Sequence, residues 1–172
     1  MQPKLKAFLC ALAVTLPLDQ ASKAWISANL GYAERIAVID GFFYLTHVRN
    51  PGAAFSMFAE TTSDIRMPFF IGVSLVAVGI ILSFYRRLAP GDRHAAVTLG
   101  LILGGALGNL VDRVARGEVV DFLHVRLWAG YSWPDFNFAD SFIVVGVGLL
   151  LLELLASEGE TRASRSTPQP GS

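Results

Sequence analysis

Charged side chains are scarce in this sequence. Of its 172 residues, 16% are charged and 53% are hydrophobic, whereas about 25% of the residues in a soluble domain are charged. This deficit favours a membrane protein. The 14 Lys and Arg residues are matched by 14 Asp and Glu residues, so the chain has no excess of positive charge with which to bind nucleic acid. We therefore expect no nucleic-acid partner.

Cysteine and histidine are also rare. The single cysteine, Cys10, cannot form an internal disulfide, and we interpret it as a buried apolar residue. The three histidines are scattered and lack the spacing that is typical of a metal site. We expect neither a metal nor a cofactor.

Long uncharged runs organise the chain. Because a charge in hydrocarbon costs about 2.5 to 3.5 kcal/mol, these runs predict four membrane-spanning helices, over residues 7–26, 67–85, 95–111 and 139–155. A secretory signal with a cleavage site at residues 21–24 is the alternative for the first run. The three further spans, and Pro17 and Asp19 near that site, argue against it.

Basic residues lie close to particular ends of these spans. They precede the first span and crowd the connection between the second and third: Lys4, Lys6, Arg86, Arg87 and Arg93. Such residues mark cytoplasmic ends, so we predict that both termini are cytoplasmic and that segments 29–66 and 112–138 are extracytoplasmic. Residues 1–156 then form one integral membrane domain. The Ser-, Thr- and Pro-containing tail, residues 157–172, is predicted to be disordered.

The two extracytoplasmic segments have patterns typical of folded structure. Residues 35–39 and 42–48 are rich in β-branched and aromatic side chains, and a turn at residues 50–52 separates them from a further run, residues 53–58. The second segment carries Trp128, Tyr131 and Trp133, rings that prefer the headgroup level of a bilayer. We predict an all-α four-helix transmembrane bundle with a small extracytoplasmic β-sheet and an interfacial loop or helix.

Glycines recur in the third span. Gly100, Gly104 and Gly108 lie four residues apart, so they form a stripe that lets a neighbouring helix approach closely. This stripe predicts tight packing and indicates no chemistry.

Two acids occupy unusual positions at the predicted outer face. Asp121 follows two valines and precedes Phe122, and Asp140 lies at the start of the fourth span. An ionisable residue at a span end indicates function by default. Two close carboxylates share one proton, so that one acts as base and the other as acid, as in aspartic proteases. The alternatives are that Asp140 caps its helix and that Asp121 pairs with Arg113 or Arg116.

Other polar residues suggest different roles. Asp19 and Lys23 lie four residues apart on one helix face, so we predict a structural ion pair. Ser22 and Lys23 cannot readily share a proton, because adjacent helical side chains point about 100° apart. His124 lacks a placed nucleophile and is interpreted as an interfacial histidine.

Five motifs in order resemble the lipoprotein signal peptidases, the signal peptidase II family of intramembrane aspartic proteases. The resemblance extends from residue 18 to about residue 141. Its motifs are residues 18–23, 50–56, 104–113, 119–122 and 136–141.

The resemblance implies that Asp121 and Asp140 are a catalytic dyad. It also implies that Asn50, Arg113 and Asn137 line the substrate site, although Asn50 could simply begin a turn, Arg113 pair with Asp112, and Asn137 start a helix. The implied enzyme is an aspartic endopeptidase of the bacterial inner membrane, with its site at the extracytoplasmic face. It cuts signal peptides from prolipoproteins just before a cysteine that carries diacylglycerol.

A small transporter or proton-coupled channel is the competing hypothesis. The acids cluster toward one face and no internal repeat is evident, which favours the peptidase. We expect a monomer whose partners are the diacylated prolipoprotein and membrane lipid.

Overall fold

The computed structural model describes residues 1–52, 63–128 and 130–166. Four helices and three strands follow one another along the chain. They are α1 (Pro3–Asn29), β1 (Arg35–Ile39), β2 (Phe43–Asn50), α2 (Ser63–Arg87), α3 (Arg93–Arg116), β3 (Val119–Val125) and α4 (Phe138–Ser166).

All four helices are long and apolar enough to cross a membrane. This confirms the predicted four-span architecture, and the chain is a multi-pass membrane protein. Each helix extends beyond its predicted span, because charged residues such as Arg87, Arg93 and Arg116 form the terminal turns. α3 ends at Gly117, whose φ of 79° is a left-handed conformation that glycine adopts without strain.

The glycine stripe places α3 against α1. A Cβ atom added at Gly100 would meet the Phe8 carbonyl oxygen at 2.7 Å, and one added at Gly104 would collide with Thr15. On another face of α3, a Cβ atom at Gly105 would collide with the Ala139 carbonyl oxygen of α4. α3 is therefore the central helix, which packs against α1, α2 and α4.

A three-stranded antiparallel sheet covers one end of the bundle, in the order β1, β2, β3. The predicted runs 35–39 and 42–48 correspond to β1 and β2. β3 was not predicted as a strand, because its seven residues, which include Asp121 and His124, are nearly all buried and lack alternation. The run 53–58 lies outside the described residues.

The tail prediction is partly wrong. α4 continues to Ser166 instead of ending near residue 156. A helix that is already nucleated adds residues at little cost, and no proline interrupts the chain until Pro168. Residues 167–172 lie outside the described residues. Cys10 is also exposed rather than buried, because it lies on the outward face of α1.

The aromatic side chains after β3 project outward. Trp128 is 77% exposed, and Tyr131 and Trp133 are more than half exposed. Bridges from Leu123 to Phe136 and from Arg126 to Ser132 hold this loop against the sheet. The loop therefore presents rings at the same end of the bundle as the sheet.

Candidate active site

Asp121 lies in the middle of β3 and is 2% exposed. Its two carboxylate oxygens accept hydrogen bonds from different side chains. The Asn50 amide, at the end of β2, donates to Oδ2 at 2.9 Å, and the Asn137 amide donates to Oδ1 at 2.6 Å. The pairing of β2 with β3 thus brings Asn50 to Asp121, although 71 residues separate them.

Asp140 lies in the first turn of α4, where Asn137 is the N-cap. The Asn137 Oδ1 accepts the Asp140 backbone N–H at 3.0 Å, and Asp140 Oδ2 accepts the Asn137 backbone N–H at 3.3 Å. This reciprocal arrangement is a capping box. Asp140 does contribute to capping, as its alternative interpretation proposed, but its second oxygen, Oδ1, accepts a bond at 2.7 Å from Asn109 of α3.

Asn137 connects the two carboxylates. Its side-chain N–H donates to the Asp121 carboxylate, and its backbone N–H donates to the Asp140 carboxylate. Its side-chain oxygen accepts the Asp140 backbone N–H. The same side-chain amide also donates to Asn109 Oδ1 at 3.3 Å. The sequence predicted that these two acids face one another, and the structure places them around one fully buried asparagine.

The pKa of Asp121 is raised from 3.8 to about 7, mainly because the carboxyl is buried. The nearby charge of Asp140 adds to this increase, while the hydrogen bonds from Asn50 and Asn137 oppose it. A carboxyl with this pKa is half protonated near neutral pH. It can therefore either donate or accept a proton under physiological conditions.

Arg113 lies on α3, close enough to Asp121 and Asp140 to interact with their charges. Its guanidinium donates to the Asn109 carbonyl oxygen at 3.2 Å and lies 5.6 Å from the centre of the Phe70 ring of α2. It does not pair with Asp112, which binds Lys23 and Arg116 instead. Among the described residues, neither Arg113 nor Arg116 forms an ion pair with Asp121, so that alternative is not what the structure shows.

A largely buried ion cluster adjoins the two aspartates. Lys23 Nζ is 2.8 Å from both Asp19 Oδ2 and Asp112 Oδ2, and all three side chains are 0% exposed. Arg116 also binds Asp112, so two cations balance two anions. Buried charges are tolerated when they are paired and hydrogen-bonded in this way.

The ion cluster contacts the site at two points. Asp19 Oδ1 accepts the Ala139 backbone N–H at 2.8 Å, next to Asp140, and Lys23 donates to Asn109 Oδ1 at 2.9 Å. Sequence reasoning assigned no site role to Asn109. Its position in the motif of residues 104–113, one helical turn before Arg113, is the signal that could have found it.

The remaining candidates lie elsewhere. His124 Nδ1 lies 3.2 Å from Asp135 Oδ1, which also accepts a hydrogen bond from Thr46 at 2.6 Å. Ser22 donates to the Asp19 carbonyl oxygen rather than to Lys23. No group of three potential metal-ligating His, Cys, Asp or Glu side chains occurs among residues 1–52, 63–128 and 130–166.

Comparison with known proteins identifies the family to which this chain belongs. The model of the family described as signal peptidase (SPase) II matches residues 11–156. The chain belongs to the signal peptidase II family. This membrane peptidase is 48% identical to the lipoprotein signal peptidase of Geobacter sulfurreducens over 158 residues, which are 92% of this chain and 97% of that protein.

Further relatives and solved structures agree. The lipoprotein signal peptidase of Listeria welshimeri is 39% identical over 90% of this peptidase and 96% of its own length. Two structures described as bacterial membrane enzymes solved by the in meso method each superpose with a TM-score of 0.77. The first is 32% identical and is matched over 86% of this peptidase and 92% of that chain. The family predicted from the motifs is thereby confirmed, and the protein is a hydrolase.

Proposed function

We propose that this peptidase removes signal peptides from prolipoproteins. Its substrate carries diacylglycerol on a cysteine, and the bond that breaks is the one just before that cysteine. Asp121 and Asp140 are the catalytic dyad. The observation that supports this assignment is that Asn137 holds both carboxylates, one by its side-chain amide and the other through the capping box.

The chemistry requires one proton shared between the two acids. The ionised carboxylate takes a proton from water as the water oxygen attacks the peptide carbonyl carbon. The protonated acid donates a hydrogen bond to the carbonyl oxygen, on which negative charge develops. When the tetrahedral intermediate collapses, the C–N bond breaks and the leaving amine takes a proton from the dyad, which returns to its singly protonated form.

Asn50, Arg113 and Asn137 complete the proposed site. Asn50 and Asn137 each donate to Asp121, so they orient that carboxylate beside the substrate backbone. Arg113 places a fixed positive charge beside the dyad, where it offsets the single negative charge that the two acids share.

The proposed orientation places the site outside the cytoplasm. Lys4, Lys6, Arg86, Arg87 and Arg93 lie at the opposite end of the bundle from the sheet, and basic residues favour the cytoplasmic side. Cys10→Ser with Asp40→Cys, in the turn between β1 and β2, should react with a membrane-impermeant maleimide in intact cells. Cys10→Ser with Arg87→Cys should react only after the membrane is permeabilised, and the reverse pattern would refute this orientation.

Cleavage of a diacylated prolipoprotein, followed by gel shift, tests the dyad. Asp121→Asn and Asp140→Asn should each lower kcat by at least about a thousandfold, because an amide cannot take part in the proton transfers. Asp40→Asn, which makes the same chemical change at an exposed turn, is the matched control and should retain activity. Normal cleavage by either dyad variant would refute the assignment. Normal cleavage by both, together with ion flux in vesicles, would favour the transporter hypothesis.

A further inference from the structure

An apolar groove of about 510 Å³ lies at the far end of the bundle from the sheet. Phe84 of α2 and Leu88, which follows this helix, form one wall; Leu151 and Leu154 of α4 form the other, and Leu99 lies on α3 between them. Leu151 and Leu154 are 55% and 56% exposed. The groove is therefore open to the surroundings of the bundle.

The groove shares its three helix faces with the candidate active site. Phe70 and Phe84 of α2 are 14 residues apart, which is two heptads, so they lie on one face. Leu99 and Arg113 of α3 are two heptads apart and also share a face. Arg113 of the candidate site lies over the Phe70 ring. The faces of α2 and α3 that line the groove at one end of the bundle therefore meet at the candidate site at the other end.

On α4, too, a site residue and a groove residue share one helix face. Asp140 and Leu151 are 11 residues apart, which is close to three helical turns. Val144 and Val147 lie between them on this face and are 70% and 42% exposed. An uncovered apolar path therefore extends from Asp140 to the groove.

Two acids occupy the end of this path that is remote from the dyad. Asp92 and Glu153 are the only charged residues among the described residues that line the groove. Asp92 is the N-cap residue of α3 but makes no side-chain capping bond. Within the described part of the chain, neither acid forms a salt bridge, so both carboxylates are available to a cationic partner.

Most basic side chains at this end are directed elsewhere. Lys4 donates to the Leu88 carbonyl oxygen and lies over the Tyr85 ring, on the side of α2 that faces α1. Lys6 and Arg93 line a separate pocket beside the start of α1. The groove end therefore has a local excess of negative charge in its lining.

We propose that this groove binds the apolar helix of the substrate's signal peptide, with Asp92 and Glu153 recognising its basic N-terminal segment. This inference rests on the proposed function. A signal peptide consists of a positively charged start and an apolar segment of about 7 to 15 residues before the cleavage site. Its positive charges thus lie at the opposite end of the apolar helix from the bond that is cut.

The dimensions agree with this occupant. Glu153 follows Asp140 by 13 residues in α4, which corresponds to about 20 Å at ~1.5 Å per residue. A helical apolar segment of 7 to 15 residues spans about 10 to 22 Å. A signal peptide whose scissile bond is at the dyad therefore places its basic residues near the two acids.

Three substrates that differ only in the N-terminal segment test this proposal. They are diacylated prolipoproteins whose segment carries lysines, serines in their place, or glutamates in their place. The enzymes are the full-length wild-type chain, Glu153→Lys and Asp92→Lys, all in lipid nanodiscs. Asp40→Lys, with the same charge change in the exposed turn outside the groove, is the control.

We expect wild-type KM to be lowest for the lysine substrate. Glu153→Lys and Asp92→Lys should raise KM for that substrate by about three- to tenfold, which corresponds to losing one or two exposed ion pairs. They should lower KM for the glutamate substrate and leave kcat unchanged, whereas Asp40→Lys should change neither parameter. The opposite response to the two substrate charges is a result that a merely structural defect would not produce.

Several outcomes would overturn the inference. Equal KM values for all three substrates with the wild-type enzyme would show that the groove does not recognise charge. The same KM increase for lysine and glutamate substrates would indicate a structural effect. Charge-independent KM values, together with phospholipid retained by the wild-type protein and lost from Glu153→Lys, would assign the groove to lipid. Absence of any cleavage by the wild-type chain would instead refute the proposed function.

Discussion

Lys23 donates a hydrogen bond to Asn109 Oδ1 at 2.9 Å, deep between α1 and α3. Because an ammonium group can only donate, this contact fixes the oxygen of the Asn109 amide on the Lys23 side. The amide nitrogen then donates to Asp140 Oδ1 at 2.7 Å. A buried cation therefore determines which way a neutral side chain presents its hydrogens to one of the two proposed catalytic acids.

Replacing Lys23 should lower both thermal stability and cleavage activity, and a second substitution should restore only part of the stability. Lys23→Met leaves Asp19 without an ion-pair partner in the described part of the chain, while Asp112 keeps Arg116, and breaking a buried pair costs about 3 to 5 kcal/mol. In Lys23→Met/Asp19→Asn, the charge that lost its partner is also removed, so the thermal unfolding midpoint should recover in part. Cleavage activity should remain low in both variants, because neither restores the bond to Asn109. Full recovery of activity in the double variant would contradict this positioning role.

The proton on the dyad should set the alkaline limit of activity. The singly protonated pair is the active form, and burial raises the pKa of Asp121 to about 7. As the pH rises through about 7, Asp121 ionises and both acids become negative, so kcat/KM should fall.

Asn50→Ala should move this limit to higher pH. The hydrogen bond from Asn50 stabilises the ionised Asp121 and lowers its pKa. Without that bond the proton is retained to higher pH, by up to about one pH unit, since a hydrogen bond contributes about 1 kcal/mol and one unit corresponds to ~1.4 kcal/mol. Profiles of kcat/KM against pH measure the shift, and Asn29→Ala, at the exposed end of α1, is the control. A shift toward lower pH would show that another group sets the limit.

The contact between α1 and α3 should not tolerate even a methyl group. Gly104→Ala would push its Cβ into Thr15, and overpacking costs about 1 to 3 kcal/mol. Gly79→Ala is the matched control, because a Cβ atom there would contact none of the described neighbouring residues within 4 Å. It should be neutral or stabilising, since alanine favours helix more than glycine does. Equal unfolding midpoints for the two variants in detergent would mean that the glycine stripe does not limit the approach of the helices.

The aromatic loop should lie at the headgroup level. Trp128 and Trp133 are 77% and 54% exposed, and indole rings prefer the interface. Variants that retain one of these tryptophans, with the other two of the chain's three replaced by Phe, should show stronger quenching by a nitroxide near the lipid headgroup than by one near the end of the acyl chain. Strong quenching by aqueous iodide with none by either lipid would place the loop in water.

The sequence alone determined the properties that depend on local composition and spacing. Uncharged runs predicted four spans because charge is expensive in hydrocarbon, and the interval of four residues in the glycine stripe predicted a close helix contact. The apolar setting of Asp121 and the span-end position of Asp140 marked both as candidates. The motifs identified the family, which the comparison with known proteins confirmed.

Only the tertiary structure decided which polar groups meet. β3 is buried on both faces and carries no alternation, so its pairing with β2 and the contact of Asn50 with Asp121 could not be read from local pattern. Asn109 and Lys23 are 86 residues apart, and their hydrogen bond exists because the glycines of α3 let α1 approach. Hydrogen bonds between distant residues depend on how whole helices and strands pack, and that packing is a property of the entire chain.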